Sequence, residues 1–156
     1  MARSIPPDRF DALMRAATRV FLRQGYRRTQ MADVAAELGV AKGTLYLYVE
    51  SKEALFEQAL VHADRADAIP TPRELPVPTP RPGSTLRKVR ARIRRDAKLP
   101  ALSAAVARRA PSDTRAEVDA ILRELLSLLS AHRIAIKLLD RCAADFPELA
   151  RLWTEG

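Results

Sequence analysis

The chain has 156 residues, which is long enough for one domain or for a small module joined to a modest second one. Hydrophobic residues make up 47% of it, so a buried core is expected and disorder throughout is excluded. The net charge of +8 favours an acidic partner, of which nucleic acid is the commonest.

The first two predicted elements are amphipathic helices. Apolar residues recur at helical spacing from Phe10 to Phe21, and Gly25 supplies the left-handed residue that ends this helix. Thr29 is placed to cap a second helix, which Gly39 closes. The inner face of that second helix is formed by Met31, Val34, Ala35 and Leu38.

A short turn then leads into a third helix, predicted from residue 42 to residue 49. Ser51 is placed to cap a fourth helix, which is predicted to continue to about Ala68. The stretch PTPRELPVPTPRPGS, residues 70–84, is rich in proline, which removes backbone donors and favours extended geometry. It predicts a linker or a loop wrapped on the surface.

The rest of the chain is also predicted to be helical. Residues 81–109 carry ten basic side chains against Asp96 alone, and their helix at 86–95 has a narrow apolar stripe surrounded by arginine. Ser112 is placed to cap a long apolar run, which His132 and Arg133 interrupt. No segment alternates with period two over a useful length, so the predicted fold class is all-α.

The segment GVAKGTLYLYVESK, residues 39–52, is unfavourable for an isolated helix. Ala41 offers no capping side chain, Lys42 adds positive charge to a helix N-terminus, and Gly43 lowers helix propensity by about 1 kcal/mol. Each choice becomes favourable beside a polyanion, since free N–H groups and a lysine bind phosphate and a glycine permits close approach. With the preceding helix and tight turn, this segment predicts a helix-turn-helix unit that inserts into the DNA major groove.

The residues of the third helix divide by face. Leu45 and Val49 are predicted to point inward, and Thr44, Tyr46, Leu47 and Tyr48 to lie outward or at the rim. Hydroxyl groups suit phosphate contacts, whereas Lys42 suits a guanine acceptor and Leu47 a thymine methyl group. Lys52, at the start of the fourth helix, is predicted to reach a phosphate across the groove.

The stretch TQMADVAAELGVAKGTLYLYVESKEALF, residues 29–56, closely resembles the DNA-binding core of the tetracycline-repressor (TetR/AcrR) family of bacterial transcription regulators. The resemblance is dense over residues 10–60 and looser beyond residue 84. It implies a homodimer on a near-palindromic double-stranded operator, usually repressing, with a helical C-terminal domain that binds a small-molecule effector. The residues that match the family's DNA-contacting positions are Thr29, Gln30, Lys42, Gly43, Thr44, Tyr46, Leu47, Tyr48 and Lys52.

Three parts of the chain are therefore expected. Residues 1–69 are predicted to form the DNA-binding domain, residues 70–83 a proline-rich linker or loop, and residues 84–156 a helical regulatory domain. Members of the family usually dimerise through two long C-terminal helices, but here the chain ends soon after the helix containing Trp153 begins. Either that domain is shortened, or dimerisation uses the helical run at 113–143, or the protein is monomeric and binds DNA weakly.

Other kinds of site have little support in the sequence. No catalytic triad, glycine-rich phosphate loop or zinc spacing is present, so neither an enzyme nor a cofactor or metal site is expected. Cys142 falls on an apolar face, as a buried structural thiol does, and His132 and Arg133 are weak candidates for an effector site. The competing function is a helical interaction module that uses the basic helix 86–95 to dock on an acidic protein or lipid surface. The expected location is the bacterial cytoplasm, on the nucleoid, with no membrane association.

Overall fold

A computed structural model describes residues 8–108 and 113–145. Within these ranges the chain forms eight helices and no strand, as the all-α prediction requires. None of these helices is long and apolar enough to span a bilayer. The helices are α1 (Asp8–Gln24), α2 (Met31–Leu38), α3 (Lys42–Leu45), α4 (Lys52–His62), α5 (Ser84–Asp96), α6 (Pro100–Ala107), α7 (Thr114–Ala131) and α8 (Arg133–Ala143).

Helix α1 lies at the centre of the core, in contact with α2, α4 and α8. Its apolar residues from Phe10 to Phe21 are buried, as their helical spacing predicts. The ring of Phe21 meets the ring of Phe56 on α4 edge-to-face, with centroids 5.1 Å apart. Gly25 ends α1 with a positive φ of 80°, so the predicted stop is confirmed.

Of three N-cap residues predicted from the sequence, one is observed in the structure and two helices begin at a different N-cap. The hydroxyl of Ser51 accepts a hydrogen bond from Ala54 N–H at 3.2 Å, which confirms the predicted cap of α4. Helix α2 is capped at Gln30 rather than at Thr29, because Thr29 lies one residue further out. At α7 the N-cap is Asp113, whose carboxylate accepts from Ala116 N–H, and Ser112 lies outside the described residues.

Two helices are shorter than their sequences predict. Helix α3 ends at Leu45 instead of residue 49; the chain continues in a turn that still bonds back to α3, and beyond it the backbone of Tyr48 and Glu50 hydrogen-bonds to Val77. Helix α4 ends at His62 instead of about Ala68, because the chain turns there and places Asp64 against the start of α8. In both places the chain leaves the helix next to a segment that is distant in the sequence.

The proline-rich segment lies against the third helix. Residues 75–79, which we call the strap, run parallel to the turn that follows α3, with a β-bridge between Val49 and Val77. The side chains of Leu75 and Val77 pack against the core. The sequence predicts either a linker or a surface loop for residues 70–84. Residues 75–79 form a surface loop.

Helices α5 to α8 form the second half of the described structure. Helix α5 contacts α4, and α8 packs on both α1 and α4, so the two halves share one core. The apolar run from residue 113 to residue 143 breaks at His132, which is the last residue before α8. Helix α7 contains no buried residue, although it carries many leucines. Trp153, which the sequence places in a further helix, lies outside the described residues.

Candidate nucleic-acid interface

The N-terminus of α3 is open. Ala41 occupies the N-cap position in an extended conformation and offers no side-chain hydrogen bond. Ala41, Lys42 and Gly43 are all exposed. A Cβ atom added at Gly43 would have no neighbour within 4 Å, so no intramolecular contact requires glycine there. Packing among the described residues therefore does not explain why the sequence at the start of α3 is unfavourable for a helix.

Two large side chains project from the turn that follows α3. Tyr46 is 42% exposed and Leu47 is 57% exposed, and they stand between Leu45 and Tyr48, both of which are buried. The prediction that Leu45 and Val49 point inward is confirmed, since neither has any exposed surface. The prediction that Tyr48 lies outward is wrong: helix α3 ends early, and the turn brings the Tyr48 ring into the core.

Thr29 and Gln30 differ in their accessibility. The hydroxyl of Thr29 is buried and donates a 2.6 Å hydrogen bond to the carbonyl oxygen of Gly25, so it fastens the corner between α1 and α2. That side chain is not available on the surface in this conformation. Gln30 is exposed at the start of α2, where its backbone N–H donates to the carboxylate of Asp33 at 2.8 Å. Thr44 is half-buried, next to exposed Gly43.

Lys52 is held at the corner formed by Tyr26. Its ammonium group donates to the carbonyl oxygen of Tyr26 at 3.1 Å and lies 4.5 Å from the centre of the Tyr26 ring. The Tyr26 hydroxyl in turn donates to Glu53 at 3.0 Å, and burial raises the pKa of that phenol well above its usual range. Lys52 is half-buried, so a phosphate contact must coexist with these intramolecular contacts.

The strap is bonded to the turn after α3. Val77 N–H donates to the carbonyl oxygen of Tyr48 at 2.8 Å, and Glu50 N–H donates to the carbonyl oxygen of Val77 at 3.0 Å. Beside this pair, Thr79 N–H donates to the carboxylate of Glu50 at 2.8 Å, and the Thr79 hydroxyl bonds to that of Ser51 at 3.0 Å. Four hydrogen bonds therefore connect the strap to residues 48–51.

A second concave site lies among α4, α5, α7 and α8. It is a cavity of about 190 Å³ lined mainly by apolar side chains. Leu60, Val89, Leu128 and Leu139 are among them, and His132 stands on its wall. Arg133, the other effector candidate, is exposed and does not line this cavity. Of the two effector candidates from the sequence, His132 lines the cavity and Arg133 does not.

Charged side chains border this cavity in a network. The carboxylate of Asp64 accepts Arg92 Nη2 at 2.8 Å and the backbone N–H of Ile134 at 2.7 Å, so it joins α5 to the N-terminus of α8. Arg92 also bonds to His132 Nδ1 at 3.1 Å, and Asp96 lies 3.5 Å from Arg92. The neighbouring Arg95 guanidinium holds the pKa of Asp96 below its usual range.

The basic helix α5 has an inner and an outer set of charges. Lys88 pairs with Glu57 at 2.5 Å, and Arg92 pairs with Asp64, so these two cations attach α5 to α4 and to the turn that follows α4. Arg94 and Arg95 are exposed. Part of the positive charge of α5 is therefore paired with acidic side chains of the same chain. The sequence alone did not distinguish these paired cations from those that face solvent.

Cys142 is buried, and its thiol lies 3.9 Å from the carbonyl oxygen of Phe21. Burial raises the pKa of this thiol to about 12. A high pKa leaves very little thiolate, the reactive form, at neutral pH. Among residues 8–108 and 113–145 no three histidine, cysteine or acidic side chains are grouped closely enough to hold a metal ion.

Several residues of these sites were missed by sequence analysis. Val77 and Thr79 lie in a proline-rich stretch, and the alternation of valine and threonine with proline was the available signal for an extended segment. Asp64 and Arg92 carried no signal, because their partners are about 30 to 70 positions away in the chain.

Comparison with known proteins gives matches in the N-terminal half. A family model described as bacterial regulatory proteins, tetR family, matches residues 13–59. These residues include all of α2 and α3 and most of α1 and α4. They also include every residue predicted from the sequence to contact DNA. No solved structure gives a significant match.

Three curated relatives match the same region. The uncharacterized HTH-type transcriptional regulator YhgD of Bacillus subtilis is 41% identical over 51 residues, which are 33% of this chain and 27% of the relative. The HTH-type transcriptional repressor KstR2 of Mycolicibacterium smegmatis is 35% identical over 57 residues, or 36% of this chain and 28% of the relative. The uncharacterized HTH-type transcriptional regulator YerO of Bacillus subtilis is 33% identical over 52 residues, or 33% and 18%. The matched region thus spans less than a third of each relative.

Proposed function

We propose that this chain, whose N-terminal region belongs to the tetR family of bacterial regulatory proteins, is a sequence-specific DNA-binding regulator of transcription. The observation that carries the proposal is the open N-terminus of α3. Lys42 and Gly43 are exposed there, no side chain caps the helix, and no neighbour fills the space beside Gly43. An uncapped, glycine-containing helix start next to a lysine suits the close approach of a phosphate backbone.

The contacts with DNA would come from the exposed residues around α3. Lys42 and Leu47 would meet base edges, and Thr44, Tyr46 and Lys52 would meet phosphates. Gln30, at the start of α2, is exposed and supports the same interface. Thr29 and Tyr48 would act from within the core, where they hold the corner and the turn that carry these residues.

The operator would be near-palindromic and bound by two copies of the chain. Two recognition helices must lie about 34–36 Å apart to enter successive major grooves on one side of the duplex. Helix α7 exposes Val118, Leu122, Leu126 and Leu129 at helical spacing. A second copy of α7 would cover this apolar face.

The regulator would respond to a small apolar molecule, acting as a repressor that the ligand releases. The cavity of about 190 Å³ is lined by residues of α4 and α5 as well as α7 and α8. A ligand that fits better when α4 is displaced would shift the population towards that state. Since α4 follows the DNA-contacting turn directly, its displacement would change the separation of the two recognition helices.

Selection from a pool of random DNA duplexes at physiological salt tests the proposal. An enriched palindrome would support both the DNA contacts and the dimer, and an enriched half-site would support the DNA contacts alone. Binding only at low salt, without enrichment, would overturn the proposal. A matched pair of variants then locates the interface: Gly43→Leu is expected to abolish enrichment, and charge reversal of Arg94 and Arg95 on α5 to preserve it. The opposite pattern would favour the interaction module based on helix 86–95.

A further inference from the structure

The turn that carries Tyr46 and Leu47 is bonded back to α3 through the N–H groups of residues 47–49, and these bonds end before the chain reaches α4. The carbonyl group of Tyr48 and the N–H group of Glu50 both lie beyond them, and both bond to Val77 of the strap. A segment nearly 30 positions away in the chain thus supplies the partner of both backbone groups.

The strap also has its own fixed position. Leu75 and Val77 pack against the core, and Thr79 bonds to Glu50 and to Ser51 at the start of α4. The two exposed side chains, Tyr46 and Leu47, thus stand on a turn that is anchored inside by Leu45 and Tyr48 and outside by the strap. Loss of the outer anchor would leave the turn held only by the inner one and by its backbone bonds to α3.

We propose that the strap is a positioning element of the DNA-binding surface, and that Val77 and Thr79 hold Tyr46 and Leu47 in the geometry that DNA requires. The inference rests on the proposed DNA binding and extends it to residues outside the region matched by the family model. These two residues touch no DNA in this scheme. They act by raising the fraction of molecules whose turn is competent to bind.

The strap further connects the turn to the cavity. Helix α5 begins at Ser84, five residues after Thr79, and it is attached to α4 through the bonds of Thr85 and Lys88 to Glu57. Val89 and Arg92 of the same helix line the cavity. A displacement of α5 by a ligand would therefore reach the turn through the strap as well as through α4.

The test uses the full chain and the duplex obtained by selection. Val77→Pro removes the N–H donor to Tyr48, and Thr79→Val removes the hydroxyl group while keeping the shape. Pro82→Ala is the matched control, since Pro82 is exposed and lies beyond the last bond to the turn. Affinity is measured as a function of salt, and amide hydrogen exchange reports on Glu50.

Both strap variants are expected to bind about five- to twentyfold more weakly, because apparent affinity falls with the competent fraction. The salt slope is expected to stay unchanged, since no phosphate contact is removed. Exchange at Glu50 is expected to accelerate in Val77→Pro, while Pro82→Ala resembles the unchanged chain in every measurement.

Affinity equal to that of the unchanged chain, together with faster exchange at Glu50, would overturn the role of the strap and leave the proposed function intact. A reduced salt slope would also overturn it, because the strap would then contact phosphate directly. If Val77→Pro does not fold, the result for Thr79→Val decides. If the unchanged chain binds no duplex, the proposed function fails first, and the strap has no DNA-binding surface to position.

Discussion

Replacement of Asp64 by alanine is expected to separate α8 from α4 and α5. The Asp64 side chain is only 6% exposed and accepts hydrogen bonds from the backbone N–H groups of Ile134 and Ala135 at 2.7 and 3.2 Å. It also pairs with Arg92 at 2.8 Å. One carboxylate therefore caps α8 and neutralises a cation of α5, and alanine removes both functions.

The magnitude follows from these two functions. Loss of a helix cap costs about 1 kcal/mol. Removal of one partner from a buried ion pair costs about 3–5 kcal/mol, but Arg92 is 22% exposed and keeps His132 and Asp96 nearby, so the loss is smaller. We expect Asp64→Ala to lower the free energy of unfolding by about 3 kcal/mol, or roughly 6–12 °C in melting temperature. Asp64→Asn keeps an acceptor for the cap and should lose about half as much.

Thermal and urea unfolding followed by circular dichroism measure these losses, with Asp67→Ala as the control because Asp67 is exposed three residues further on. A double-mutant cycle with Arg92→Met isolates the ion pair from the cap. A change below about 0.5 kcal/mol for Asp64→Ala, within the range of ordinary surface substitutions, would refute the reasoning. It would mean that α8 docks through its apolar face alone.

Three further outcomes are expected. Gly43→Ala should raise the stability of the free protein by up to about 1 kcal/mol, since a Cβ atom meets no neighbour there, and yet weaken DNA binding; equal or tighter binding in a gel-shift titration would exclude close approach at this position. Lys52→Ala should lower the slope of log affinity against log salt by about 0.9, and a slope equal to that of the unchanged chain would show that Lys52 contacts no phosphate. Cys142 should resist a thiol reagent in the native protein, because with a pKa of about 12 only about one thiol in ten thousand is ionised at pH 8, so rapid labelling without denaturant would contradict its burial.

Much of the interface could be predicted because its signals are local. The helical spacing of apolar residues, the glycines that end α1 and α2, and the cap at Ser51 each depend on residues within a turn or two of one another. The same holds for the uncapped start of α3, because Ala41, Lys42 and Gly43 are adjacent residues whose types are each unfavourable at a helix N-terminus. These features carry the helix-turn-helix prediction, and the match to the tetR family covers the same residues.

The predicted lengths of the third and fourth helices are inaccurate at places where the chain meets a segment that is distant in the sequence. The third helix has four residues instead of eight, and the strap lies against the turn that follows it, where Val77 bonds to the backbone of Tyr48 and Glu50. Tyr48 is buried because the turn that ends α3 directs it inward, although a continuous helix would have placed it at the rim. The spacing of apolar residues along a helix carries no information about a segment that lies far away in the sequence.

The amino-acid sequence alone determined the all-α class, the positions of the first helices and the exposed, uncapped start of α3, since each depends on short-range propensity and spacing. Only the tertiary structure decided which cations of α5 face α4, that Asp64 caps α8, and that Val77 and Thr79 complete the turn carrying Tyr46 and Leu47. These contacts join residues from about 30 to 70 positions apart, and their pairing is selected by the packing of the whole core.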